Sequence, residues 1–165
     1  MRVAVVAALA VFLCTSAVVA QEGFDLPQRY VGAAGTLVLP QGGSSMRRLG
    51  GAAARAGLYL SDALAVEVEA GSFEDLAGLA ARGVWHMQGW ESFGRLFGYE
   101  RLDPFLSVGA RGWLPAGQVG PAFGVGAFYY LGDSWAIRVE SELVVGLDSS
   151  VETVHSLSVG LQYSF

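Results

Sequence analysis

The chain ends on Ser156–Phe165, SLSVGLQYSF. From Leu157 onward every second residue is apolar or aromatic: Leu157, Val159, Leu161, Tyr163 and Phe165. The residues between them, Ser158, Gly160, Gln162 and Ser164, are small or polar. Strict alternation of this kind marks a strand with two unlike faces. Chain ends fray unless a neighbour ties them down, so a clean strand up to Phe165 predicts another strand pairing with it.

The same alternation recurs upstream, punctuated by turn residues. It predicts strands over 28–39, 51–60, 63–71, 78–90, 104–114, 121–131 and 134–146, then the closing strand after LDSS at 147–150. Turns fall at PQGGSS (40–45), Ser61–Asp62, PAGQVG (115–120) and Gly132–Asp133, with a longer connection over 91–103. About eight strands of roughly ten residues, with no linker or second domain, predict an all-β, closed, antiparallel up-and-down barrel. A strand of roughly 9–11 residues is also what a bilayer crossing requires at barrel tilt. The uncharged stretch 112–132 has the length of a membrane helix. Pro115, Pro121 and its recurrent glycines argue instead for two strands and a turn.

The first twenty residues, MRVAVVAALAVFLCTSAVVA, have the layout of a secretory signal peptide: Arg2, an apolar run, then small residues ending at Ala20. Removal of 1–20 leaves 21–165 as one domain. It also removes Cys14, the only cysteine, so no disulfide or thiol chemistry is expected. Hydrophobic residues make up 53% of the chain and charged residues 15%, against roughly a quarter charged in soluble domains. All ten basic residues are Arg, and the net charge of −5 gives no basis for a nucleic-acid partner.

The charges fall on one phase of each strand. In the third, Leu64, Val66, Val68 and Ala70 oppose Glu67 and Glu69; in the seventh, Trp135, Ile137, Val139, Leu143 and Val145 oppose Arg138, Glu140 and Glu142. Arg55 opposes Ala54, Ala56 and Leu58, while Arg82 and Arg111 stand within otherwise uncharged strands. In a soluble sheet such charges face water; in a membrane barrel they line the lumen and the apolar face meets lipid. Alternation alone does not separate the two. The balance does better: four Arg (55, 82, 111, 138) against four Glu (67, 69, 140, 142) is what a narrow closed lumen requires, because an unpaired buried charge costs several kcal/mol. Gly57, Gly71, Gly109, Gly124 and Gly126 share the polar face and leave room for long side chains. Gly112 falls on the other phase, which the pattern does not explain.

The ending Leu157–x–Val159–x–Leu161–x–Tyr163–x–Phe165 resembles the C-terminal assembly signal of bacterial outer-membrane barrels. DPFLSVGARG (103–112) and PAFGVGAFYYLGDSWAIRVESE (121–142) resemble the small OmpA-like outer-membrane barrel domains. The resemblance implies a Gram-negative-type outer-membrane location after export, a terminal Phe read by the barrel-assembly machinery, periplasmic chaperones on the way, and both termini in the periplasm. It puts connections 40–50, 72–77, 115–120 and 147–151 outside; they are short for an adhesin. The periplasmic connection 91–103 is long. Phe93, Leu96, Phe97 and Tyr99 in it fit either an interfacial amphipathic element or an ordinary loose turn.

No metal-ligand cluster, nucleotide loop or cofactor motif is present, and no cofactor is expected. His155–Ser156 with Glu152 has the composition of the His/Ser/Glu set of lipid A deacylase barrels, in a different local motif. Adjacent strand residues point to opposite faces, so no enzyme is expected. His86 shares the phase of Arg82 and is expected in the lumen. Tyr30, Trp85, Trp90, Trp113, Trp135 and Tyr163 lie near strand ends, as interfacial girdles do, although core aromatics would account for some of them. Since eight strands enclose an interior just wide enough for side chains, the reading is a monomeric integral barrel in outer-membrane lipid. Its role is structural, in membrane integrity, with a lumen plugged by Arg/Glu pairs. The alternatives are a narrow gated ion channel or porin, and a soluble periplasmic barrel binding an apolar ligand.

Overall fold

Alternation over eight segments becomes eight strands in the computed structural model, which describes residues 29–40, 49–74, 76–87, 101–114, 118–146 and 153–165. Residues 1–20, expected as a signal peptide, Trp90, the apolar residues of 93–99 and Glu152 lie outside the described residues. The strands are β1 Arg29–Pro40, β2 Leu49–Ser61, β3 Leu64–Phe73, β4 Leu76–His86, β5 Leu102–Leu114, β6 Gln118–Tyr130, β7 Trp135–Val144 and β8 Val154–Ser164. Each pairs antiparallel with the next, and β8 closes on β1.

The closing strand is held along its whole length, from Tyr30↔Ser164 to Pro40↔Val154. At its foot the Phe165 N–H donates to the Arg29 carbonyl at 2.9 Å. Closure removes both sheet edges, which would otherwise be exposed pairing surfaces.

Several boundaries differ from the sequence expectation. β4 starts at Leu76, because Phe73 and Leu76 pair directly across a tight turn in which Glu74 takes a φ of 50°. It stops at His86, short of Trp90. β5 begins at Leu102 and runs through Pro104, whose carbonyl accepts the Met87 N–H at 2.8 Å. β6 begins at Gln118, inside the expected turn. The stretch 112–132 is therefore the end of β5 and the whole of β6. Among the described residues no helix is long and apolar enough to cross a membrane.

The outward face is apolar around the barrel. Leu106, Val108, Phe123, Val125, Val139 and Leu161 are exposed, and Val159 reaches 59% exposure. Soluble monomers rarely expose a contiguous apolar patch larger than a few hundred Å². Trp85, Tyr129, Trp135, Tyr163 and Phe165 gather outside at the end carrying Arg29 and Phe165, with Trp135 and Tyr163 ring centroids 4.9 Å apart. Tyr30 and Trp113 are not girdle residues: at 1% and 3% exposure they point into the lumen, on the phase of Ala34 and of Arg111 respectively.

Candidate functional site: the charged lumen

All eight charges selected from the strand phase point inward and are buried: Arg55, Glu67, Glu69, Arg82, Arg111, Arg138, Glu140 and Glu142. Two pairs are direct cross-strand partners, Arg55↔Glu69 on β2–β3 and Glu67↔Arg82 on β3–β4. Arg55 Nε meets Glu69 Oε2 at 2.6 Å, and Arg82 Nε meets Glu67 Oε1 at 2.8 Å. The remaining geometry spans the lumen. Arg82 also reaches Glu69 at 2.6 Å, Glu140 at 3.1 Å and Glu142 at 2.5 Å, so one guanidinium touches every glutamate of the set. Arg111 bridges Glu69 at 2.7 Å and Glu142 at 2.6 Å. Arg138 pairs with Glu67 and with Glu140, and Arg55 reaches Glu140 at 3.2 Å. Every carboxylate thus faces at least two guanidiniums. A buried charge is tolerable when its partners and hydrogen bonds are complete, and Ser107, Ser158 and the Tyr30 hydroxyl supply further donors or acceptors.

Among the described residues, an apolar layer flanks the charged layer on each side. Toward the chain termini, Tyr30, Val84, Phe105 and Phe128 form a buried cluster with Tyr59 and Tyr130 against it. At the other end, Val38, Phe73, Trp113, Val144 and Val154 pack together. The first cluster is wired to the charges: the Arg138 guanidinium lies 4.5 Å from the Phe105 ring centre and 5.1 Å from that of Phe128. Cations are drawn to aromatic faces, so the same arginine serves both layers. His86 sits in this end layer and does not join the Arg/Glu pairs. Its Nδ1 is 2.6 Å from Asp103 Oδ2, and its ring stacks on Phe128 with centroids 5.2 Å apart.

The space for these side chains is made on the neighbouring strands. Directly opposite Arg55 stands Gly32, opposite Glu67 Gly57, opposite Arg82 Gly109, opposite Arg111 Gly120, and opposite Arg138 Gly160. Gly126 faces Glu140 and Gly124 faces Glu142 on β6. A Cβ at Gly109 would come within 2.1 Å of the Ala81 carbonyl and 2.6 Å of Arg82 Cα, whereas one at outward-facing Gly35 meets nothing within 4 Å. Gly109→Ala is therefore expected to destabilise the barrel by about 1–3 kcal/mol through overpacking, and Gly35→Ala to leave it unchanged, as read by urea unfolding in micelles. Gly112 lies outward beside Leu79 and Val119, and nothing in the structure explains it.

Leu157, Val159, Leu161 and Tyr163 on β8, and Phe165 just past its end, all face outward. His155 also faces outward, and its Nε2 lies 2.7 Å from the Ser141 hydroxyl on β7; Ser156 points into the lumen. The structure thus separates the His155–Ser156 pair, and Glu152 is not described. The alternation of β8 puts Ser158 in the lumen, where it lies; Asp103 and Ser107 share the inward phase of β5 and are the two polar lumen residues that the sequence reading does not name. The soluble-barrel alternative needs Glu67, Glu69, Arg138 and Glu140 in water; they are 2–3% exposed.

No family model matches the chain, and no curated protein matches it. Solved structures do. A de novo designed transmembrane β-barrel aligns at TM-score 0.61 and 16% identity, over 86% of this chain and 98% of that one. The outer-membrane protein OprG of Pseudomonas aeruginosa aligns at TM-score 0.60 and 10% identity, over 85% and 97%. The N-terminal β-barrel domain of OprF from the same organism aligns at 0.54 and 17%, over 81% and 97%. At these identities what is shared is the fold, a closed eight-stranded antiparallel barrel.

Proposed function

We propose that the chain is an integral outer-membrane barrel with a structural role, its lumen held shut by the Arg/Glu layer and the two apolar layers. The observation that carries this is the inverted polarity: an apolar belt outside, and four arginines paired with four glutamates inside. Hydrocarbon has no water for unpaired backbone groups, and a closed barrel is the only sheet that leaves none. The likeness to outer-membrane and designed transmembrane barrels supports the location. Export by the 1–20 segment, chaperone escort, recognition of the β8 ending by the assembly machinery and a monomeric state belong to the same proposal. A structural barrel with no enzymatic activity agrees with the separation of His155 from Ser156.

Two measurements test it. The protein is expected in the outer-membrane fraction with a different gel mobility when boiled, and recovery in the soluble fraction would sink the membrane reading. In planar bilayers the refolded barrel is expected to show no sustained conductance. Persistent channel openings would replace the structural role with the gated channel.

A further inference from the structure

We propose that Ser141 and His155 form a lipid contact on the outer wall of the barrel, donating a hydrogen bond to an acyl-ester carbonyl of a membrane lipid in the leaflet away from the chain termini. The inference rests on the membrane-barrel reading above and adds one specific contact with the bilayer to it.

Along the outward face of β7 from Ile137 to Leu143, and of β8 from His155 to Leu161, Ser141 and His155 are the only polar side chains. They meet each other: Ser141 Oγ lies 2.7 Å from His155 Nε2, and both residues are half-buried. Their surroundings are apolar. Leu143 pairs with His155 and Leu157 with Ser141, while Leu39 stands beside His155 on β1 and Val125 beside Ser141 on β6.

Counting hydrogens shows that the pair is not complete by itself. A neutral imidazole has one N–H and a serine one O–H, and only one of these two hydrogens can lie between Nε2 and Oγ. If the serine donates, the ring N–H at Nδ1 is left over; if the ring donates, the serine O–H is left over. A protonated ring leaves two. Among the described residues neither side chain has another hydrogen-bonding partner. Hydrocarbon offers no acceptor, and a polar hydrogen left without one is costly.

Depth selects the acceptor. On β8 eight residues separate His155 from Tyr163, which lies in the aromatic group at the terminal end. At about 3.3 Å per residue and a tilt of about 40°, that is about 20 Å along the barrel axis, within an apolar band of about 25 Å. His155 therefore reaches the far edge of the hydrocarbon, where the ester carbonyls of lipid chains begin, and stops short of the phosphates.

The test refolds the full chain into vesicles of a diester phosphocholine and of the diether phosphocholine with the same chains, which lacks the carbonyls. The ratio of folded to unfolded parent in urea is expected to be about 5-fold higher in the diester, the weight of one hydrogen bond. His155→Phe is expected to lose this preference and Glu152→Gln to keep it. In the unaltered chain, the His155 ring hydrogens are expected to show NMR contacts to the lipid glycerol backbone, a measurement that stands even if His155→Phe does not fold. Equal stability of the parent in both lipids, a preference that survives His155→Phe, or ring contacts to the choline methyls alone would overturn the inference. Equal stability together with a loss on Glu152→Gln in both lipids would make Glu152 the acceptor instead. A parent that does not float with either vesicle would overturn the membrane reading itself.

Discussion

Replacing Arg82 by Met is expected to destabilise the folded barrel by about 3–5 kcal/mol, the range for breaking a buried ion pair from one side. The reason is its position as the shared partner. Its Nε and both terminal nitrogens reach Glu67, Glu69, Glu140 and Glu142. Met fills a similar volume, so the loss is electrostatic: four glutamates then share three arginines in a space only 2–3% exposed at each carboxylate. Arg138→Ala falls in the same range but at its lower end, since Glu67 keeps Arg82 and the Tyr30 hydroxyl, and Glu140 keeps Arg55 and Arg82. Urea unfolding in micelles gives both numbers. Adding Glu67→Gln to Arg82→Met is expected to recover part of the loss, because it removes one stranded carboxylate; groups in one network do not act additively. A cost below about 1 kcal/mol for Arg82→Met is typical of solvated pairs. It would mean that the lumen is full of water.

Much of this site is legible in the sequence, because alternation converts a strand's phase directly into inside and outside. Glu67 and Glu69 flanked by Val66 and Val68, or Arg138 and Glu140 flanking Val139, admit one assignment once the barrel is accepted. What the phase does not hold is who meets whom across the lumen. Arg55↔Glu69 and Glu67↔Arg82 are neighbours through hairpins, whereas Arg111 with Glu69, or Arg82 with Glu142, depends on strand tilt and stagger. At two places position and phase point to different answers, and phase decides. Trp113 lies near a strand end, as girdle residues do, yet it is two residues from Arg111 and so points inward. Pro104 reads as the first residue of a strand and leaves Asp103 in the connection; β5 runs through that proline, and Asp103 shares the inward phase of Phe105 and Ser107. On the polar face the sequence shows glycines only as room in general. Only the register shows that seven of the eight charges have a glycine directly opposite.

Deleting Phe165 is expected to separate assembly from stability more sharply than any other change to the chain. The side chain is 53% exposed and touches the Tyr163 ring at a centroid distance of 6.0 Å, and its backbone makes one good bond, the 2.9 Å contact with Arg29. Full burial of a large apolar side chain contributes about 1.5–3 kcal/mol, so this half-exposed one is expected to cost about 1 kcal/mol of refolded stability. A change of that size leaves a protein with the usual 5–15 kcal/mol of stability almost wholly folded. If β8 were merely the last strand, cells would therefore insert the shortened chain normally. Its resemblance to the outer-membrane assembly signal predicts otherwise: most of the Phe165-deleted protein should fail to reach the heat-modifiable, membrane-inserted form, while the same protein refolds in detergent close to the parent. Phe165→Tyr, which keeps an aromatic ring at the end, should insert nearly as well as the parent. Normal insertion of the deletion in cells would reduce SLSVGLQYSF to a closing strand. Equal failure in cells and in detergent would make Phe165 a stability residue instead of a signal.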